Sequence, residues 1–173
     1  MFGITNNRLL LGLTALFSVS AQANNFNYNT FELRAAASPS TFGTEFTTYF
    51  TENSHFVGRF DTGMDGDWDA AGGIGFNGPI GQFADMYGQI LVHHIRYEDE
   101  IPEDEVKTEV NIGVKAWLMA GVEGNVRIGQ IDSSSVFGFG ARFHSTEQLS
   151  MGVDFRNNGT YGHQILMSVR FGY

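Results

Sequence analysis

The densest group of charged side chains lies at residues 98–105, where six of eight residues are Asp or Glu. Clustered carboxylate oxygens are the ligands that hard cations such as calcium prefer. The segment lacks the glycine-containing spacing of an ordered calcium loop, however, and a run of like charges is typical of a solvated loop. Asp65, Asp67 and Asp69 around Gly66 have the composition of a polar turn. We therefore predict no metal site and no cofactor.

Two histidine-containing pairs are the other candidates for chemistry. Successive residues of a strand point to opposite faces, so His93 and His94 cannot bind one metal ion from a regular strand. The same alternation separates His144 from Ser145, although nucleophilic catalysis requires a base within hydrogen-bond reach of the hydroxyl and an acid to orient it. We expect neither pair to form an active site, and we predict no catalytic residue and no enzymatic activity.

The elements that carry these residues are short segments of alternating hydrophobicity, separated by turn signals. Phe137, Phe139 and Phe143, for example, alternate with glycines and with Arg142. Only the segment at 84–97 has no clearly polar face, so its register stays unassigned. The predicted strands are residues 27–37, 41–51, 54–62, 67–77, 84–97, 107–119, 122–131, 135–144, 147–156 and 160–173.

The N-terminal residues 1–23 have the pattern of a secretory signal peptide. Arg8 precedes an apolar run, and Ala21 and Ala23 form a small-x-small end. The run of about eleven residues is too short for a transmembrane helix, which needs about twenty. We predict cleavage after Ala23 and a single domain at 24–173. The chain has no cysteine, which excludes a disulfide framework and a thiolate metal site.

The last nine residues form the clearest predicted strand. Apolar side chains occupy every odd position from Ile165 to Phe171, and the strand ends on the aromatic Tyr173. Removing Arg8 leaves nine basic and nineteen acidic residues, a net charge of −10. Such a charge argues against nucleic acid as a partner.

The chemistry of the polar face favours a membrane barrel over a soluble one. A soluble barrel would turn a polar face rich in Lys and Glu towards water, whereas this face is rich in Gly, Ser and Arg. Charges in a narrow lumen must be paired, and the predicted inward face is nearly balanced. Its bases are Arg34, Arg59, Lys115, Arg127, Arg142, Arg156 and Arg170, and its acids are Glu32, Glu45, Asp61, Asp69, Glu109, Glu123 and Asp154.

The lengths of the connections provide an independent check on topology. Bacterial barrels have short periplasmic turns, longer outer loops and both termini in the periplasm. Counted back from Tyr173, the outer connections are residues 38–40, 62–67, 98–106, 132–134 and 157–159, and the periplasmic ones are 51–54, 77–81, 120–121 and 145–147. The longest and most charged connection is thus outside. We predict ten strands; eight would require merging two hairpins.

From Phe26 to Tyr173 the chain resembles the small outer-membrane β-barrels of Gram-negative bacteria, the porin-family and OmpA-like barrel group. The resemblance implies an all-β, closed, antiparallel, up-and-down transmembrane β-barrel in the outer membrane. It also implies contact with outer-membrane lipid and lipopolysaccharide, recognition of the C-terminal strand by the barrel-assembly machinery, and a monomeric state. The resemblance covers the barrel alone, so we expect no peptidoglycan-binding domain like that of full-length OmpA. The lipid A deacylases also combine His, Ser and an acid in a barrel, but His144 is expected at a periplasmic turn.

Three functions follow from this resemblance and from the residues. The first is an envelope-structural or narrow-pore, porin-like role. The second is a surface interaction protein whose acidic loop at 98–105 binds cations, lipopolysaccharide or another partner. The third is a soluble periplasmic carrier similar to a lipocalin. The abundant aromatic residues are expected at the lipid face and in interfacial girdles, with Trp68, Tyr97, Tyr161 and Tyr173 as candidates.

Overall fold

The computed structural model describes residues 24–98 and 103–173, and within them the chain forms ten antiparallel strands. Each strand pairs with its neighbours in sequence, and β1 pairs with β10 to close the barrel. The strands are β1 (Thr30–Ala37), β2 (Thr41–Thr51), β3 (Ser54–Gly63), β4 (Trp68–Pro79), β5 (Ala84–Tyr97), β6 (Glu103–Met119), β7 (Val122–Ile131), β8 (Ser134–His144), β9 (Leu149–Asn157) and β10 (His163–Gly172). The prediction of a closed ten-stranded, all-β barrel is confirmed, and the eight-stranded alternative is wrong.

Several predicted boundaries are wrong by a few residues. β1 begins at Thr30 rather than at residue 27, and β10 begins at His163 rather than at residue 160. The largest difference is at β6, which begins at Glu103 because its first residues pair with the end of β5, Tyr97 with Glu103 and Arg96 with Asp104. The second half of the acidic segment is therefore strand. Residues 1–23 and 99–102 lie outside the described residues.

Tight turns connect the strands at the end of the barrel where β1 begins and β10 ends. We call this the periplasmic end and the opposite one the outer end, as in bacterial barrels. β6 and β7 are joined by two residues, of which Gly121 has a φ of +75°. Glycine reaches this left-handed conformation without steric cost, which explains its place in so short a hairpin.

The two faces of the barrel have the orientation of a membrane protein. Phe139 and Val153 face outwards with 54% and 52% of their surface exposed, whereas Arg142 and Arg156 face inwards and are 2% and 6% exposed. An outer face covered with exposed Phe, Val, Ile and Met side chains requires a lipid environment. A soluble carrier would have the opposite orientation, so this arrangement excludes the lipocalin-like alternative.

β5 shows why its register was not evident from the sequence. Its inward face contains Tyr87, Gln89, Leu91, His93 and Ile95, and its outward face includes exposed Ile90 and Val92. Leu91 and Ile95 are fully buried inside the barrel. Both faces of the strand are therefore partly apolar, which removes the contrast on which alternation depends.

None of the described residues forms a helix that is long and apolar enough to cross a membrane.

Candidate functional site in the barrel lumen

The centre of the lumen contains a network of charged side chains. All fourteen predicted charges lie on inward-facing positions, and four carboxylates are each shared by two arginines, those of Glu32 and Glu45 through the shortest contacts. Glu32 accepts hydrogen bonds from Arg142 at 2.9 Å and from Arg170 at 2.6 Å. Glu45 lies 3.0 Å from Arg34 and 2.7 Å from Arg59. Short, charge-assisted contacts of this kind offset the cost of removing the charges from water.

A second cluster lies nearer the outer end of the lumen and includes a residue absent from the predicted inward set. His93 is within 2.8 Å of Asp69 through Nδ1 and within 3.0 Å of Glu109 through Nε2. Its neighbour His94 faces outwards and packs edge-on against Trp68, with ring centroids 5.2 Å apart. The strand thus separates the two imidazoles, as predicted. Among the described residues, no three His, Asp or Glu side chains are arranged to hold a metal ion.

A cavity of about 100 Å³ lies at the centre of this network. Seven basic side chains line it, but only four acidic ones. The bases are Arg34, Arg59, Lys115, Arg127, Arg142, Arg156 and Arg170, and the acids are Glu32, Glu45, Glu123 and Asp154. The cavity wall is therefore more positive than the balanced lumen that the sequence predicted.

Residues 24–29, which we call the N-terminal segment, enter the periplasmic end of the barrel instead of extending β1. Phe26 and Tyr28 are buried there, Phe26 stacked on Trp117 at 5.1 Å and Tyr28 on His55 at 4.7 Å. Asn25 donates from its backbone and side chain to Asp85, at 3.1 and 2.8 Å. The segment therefore fills one side of the periplasmic mouth.

A second cavity, of about 370 Å³, remains on the other side of that mouth, between the N-terminal segment and the wall formed by β6 to β10. It shares Thr30, Lys115, Glu123 and Arg170 with the lining of the central cavity. Because the same side chains border both spaces, the two cavities adjoin. Together they lead from the periplasmic mouth to the middle of the barrel, and charged side chains line the inner part of this path.

The outer end of the lumen contains an apolar cluster of three fully buried side chains, Ile95, Ile131 and Val136. Residues 158–162, which we call the outer loop, fold over this cluster. Gly159 has a φ of +80° and lies against Ile131 so closely that a Cβ atom at position 159 would collide with it. A glycine is therefore required for the loop to cover the cluster in this way.

Two side chains of the outer loop reach across the barrel to β3 and β4. The hydroxyl of Thr160 donates to Asp69 at 3.3 Å, and the hydroxyl of Tyr161 donates to the backbone oxygen of Asp61 at 3.3 Å. Burial, together with the nearby carboxylates of Asp69 and Asp61, raises the pKa of Tyr161 above its ordinary value. Tyr161 therefore remains a hydrogen-bond donor at neutral pH.

The four candidate girdle residues have different locations. Trp68 lies on the outward face beside Phe60, and Tyr173 is exposed and stacks on Phe46. Tyr97 packs against the apolar cluster inside the barrel, and Tyr161 belongs to the outer loop. The girdle interpretation is thus wrong for Tyr97 and Tyr161, because the parity of β5 and the inward fold of the outer loop direct both side chains towards the lumen.

His144 is the last residue of β8 and Ser145 follows it, at the end of the barrel where β1 begins and β10 ends. His144 faces the lumen, where its Nε2 is 2.9 Å from Glu123 and its ring is 4.7 Å from that of Trp117. Ser145 is exposed in the turn that follows β8. Its backbone N–H bonds the oxygen of Leu149. His144 thus has an acidic partner, Glu123, whereas the position of Ser145 is set by the backbone bond of the turn.

No protein-family model matches the sequence, and no curated protein matches it either. Among solved structures, the fold is similar to that of the KdgM porin, with a TM-score of 0.52 and 3% identity, covering 83% of this chain and 99% of that one. The same values hold for the KdgM porin in complex with disordered oligogalacturonate. The outer membrane protein Omp33 of Acinetobacter baumannii has a TM-score of 0.46 and 10% identity, covering 87% of this chain and 100% of that one.

At such low identity the similarity to the KdgM porin establishes a shared fold. The closed barrel, its exposed apolar belt and its charged lumen define a small outer-membrane β-barrel with a porin-like fold. Within this class it is a ten-stranded barrel whose lumen is narrowed by the N-terminal segment at one end and by the outer loop at the other.

Proposed function

We propose that this protein is a narrow outer-membrane channel for small hydrophilic solutes, and that its outer end is closed in the conformation described above. The observation that carries the proposal is the pair of adjoining cavities, which share the charged side chains of Lys115, Glu123 and Arg170. A barrel that served only as an envelope anchor would gain nothing from cavities that lead to charged side chains in its lumen. General porins have sixteen or more strands and open aqueous lumens, so a ten-stranded barrel selects much smaller solutes.

The remaining barrier is the outer loop together with the apolar cluster. The loop is attached to the opposite wall by the two long hydrogen bonds of Thr160 and Tyr161, each 3.3 Å. The bond of Tyr161 to a backbone oxygen is neutral and contributes about 0.5–1.5 kcal/mol, and the bond of Thr160 to the Asp69 carboxylate contributes about 1.5–3 kcal/mol. Breaking both bonds would then require about 2–4.5 kcal/mol, and it would expose the lumen to the outside. The proposal contains no enzymatic step.

Planar-bilayer recordings of the refolded full-length mature protein test this function. We expect brief, small-conductance openings in the wild type, and a higher open probability in the double variant Thr160→Val/Tyr161→Phe, which removes both hydroxyls that hold the loop. Tyr173→Phe is the matched control, because it removes a tyrosine hydroxyl from the outward face, where the group bonds the oxygen of Thr47 at 3.0 Å. The control should leave the open probability unchanged.

An absence of conductance in both the wild type and the double variant, with heat modifiability showing a folded barrel in each, would contradict the channel and favour an envelope-structural role. An equal effect of Tyr173→Phe would show that the loop bonds do not control opening. The binding of partners by the acidic segment at 98–105 remains a separate expectation, and residues 99–102 of that segment lie outside the described residues.

A further inference from the structure

The geometry of the central cavity points to a binding site for one phosphate-sized oxyanion. The site involves Lys115, Arg127 and Arg142, which lie on the consecutive strands β6, β7 and β8. It requires access from the periplasmic mouth but no conduction across the membrane, so it can be tested separately from the proposed channel.

The first argument is the incomplete pairing of these three cations. Lys115 forms no ion pair or hydrogen bond with any described residue, and its Nζ lies 4.2 Å from the centre of the Tyr28 ring. Arg127 makes a single long ion pair, 3.8 Å from Glu109. Among the described residues, Nε and Nη1 of Arg142 are buried without an acceptor, although its Nη2 is bonded to Glu32.

The second argument is that the nearby carboxylates are already engaged by other groups. Of the four carboxylates that line the cavity, Glu32 and Glu45 each pair with two arginines, Glu123 lies 2.9 Å from His144, and Asp154 accepts a hydrogen bond from Asn125 at 2.9 Å. Asp61 pairs with Arg34 and Glu109 with Arg59, and neither of these carboxylates lines the cavity. Positive charge therefore remains directed at the cavity, and burial makes such charge costly unless an anion compensates it.

The third argument is that the size of the cavity and the donors in its wall match one oxyanion. A molecule of liquid water occupies about 30 Å³, so a cavity of about 100 Å³ admits one tetrahedral oxyanion and little more. The planar donors of arginine match pairs of oxyanion oxygens, and lysine adds a point charge. The neighbouring cavity of about 370 Å³ provides the route of entry from the periplasmic end.

The test is isothermal titration of inorganic phosphate into the refolded full-length mature protein in neutral detergent at low chloride. We expect saturable binding of one phosphate per barrel, weakened about tenfold by Lys115→Gln or Arg127→Gln, since each removes a contact of the strength typical of charged hydrogen bonds. Lys107→Gln is the matched control. Its ammonium pairs with Glu105 outside the cavity and should leave the affinity unchanged.

A fourth variant should change the affinity in the opposite direction, which simple loss of folding cannot do. Asp154→Asn removes one negative charge from the cavity wall, so phosphate should bind more tightly than it binds to the wild type. Absence of saturable binding to the folded wild type would overturn the site, as would an equal loss of affinity in Lys107→Gln. Because the titration needs no current, its failure would leave the channel proposal intact, and a barrel without conductance could still bind phosphate.

Discussion

Replacing Glu32 with Gln removes the carboxylate that two buried arginines share. Arg142 and Arg170 would lose contacts of 2.9 and 2.6 Å to a charged acceptor. The next carboxylate of Arg170 is Glu123, at 3.8 Å, and Arg142 would retain only the hydroxyl of Ser168 at 3.1 Å. The two arginines would thus lose their strong bonds to a charged acceptor and keep one long ion pair, one bond to a hydroxyl and the neutral amide oxygen of the new Gln.

The expected decrease in the free energy of unfolding can be estimated in two ways. Hydrogen bonds to charged groups contribute about 1.5–3 kcal/mol each, and breaking a buried ion pair by removing one partner costs about 3–5 kcal/mol. Since both arginines keep one weaker contact, we expect the free energy of unfolding to fall by about 3–5 kcal/mol rather than by the full sum. Equilibrium unfolding in urea, followed by tryptophan fluorescence of the refolded barrel in lipid vesicles, measures this difference.

Glu105→Gln is the matched control for this measurement. Glu105 and its partner Lys107 have 38% and 26% of their side-chain surfaces exposed. Solvent screens such a pair, so its loss should cost less than about 1 kcal/mol. If Glu32→Gln were no more destabilising than Glu105→Gln, the shared carboxylate would not organise the lumen, and the reasoning from burial would be refuted.

Three further predictions concern the membrane and assembly. Val153→Arg should lower the free energy of unfolding in lipid vesicles by about 2–4 kcal/mol, since the side chain faces lipid; an unchanged value would place this strand away from the bilayer midplane. A tag within 98–105 should be accessible to antibody on intact cells and one within 145–147 should not, and the reverse result would invert the topology. Tyr173→Ala should reduce the amount of heat-modifiable barrel in outer-membrane fractions more than it reduces secretion, whereas full assembly would show that the terminal aromatic is dispensable.

Alternation was sufficient to predict most strands and their two faces, because lipid and lumen impose opposite chemistry on adjacent residues. It predicted the inward position of Arg142 and the outward position of Phe139, both of which the structure confirms. It failed for β5, where Leu91 and Ile95 bury apolar side chains inside the barrel. Tyr97 was misplaced for the same reason, since it belongs to that inner apolar cluster.

The strand ends were less predictable because pairing continues beyond the hydrophobic pattern. Glu103 and Asp104 extend β6 through backbone bonds to β5, for which their side chains provide no signal. The sequence predicts residues 27–29 as the start of the first strand, whereas the structure buries Phe26 and Tyr28 in the periplasmic mouth. Their burial depends on contacts with Trp117 and His55, which are distant in sequence, so local pattern could not reveal it.

The position of the N-terminal segment also has a consequence for the order of events during biogenesis. Its residues contact β2, β3, β5 and β6, through Tyr49, His55, Asp85 and Trp117 respectively. The segment that precedes β1 is therefore enclosed by strands that follow it in the sequence, and the barrel is closed only when the last strand, β10, pairs with β1. The segment can therefore serve as a template on which the sheet closes. Its removal would slow closure of the barrel, even if the closed barrel is stable without it.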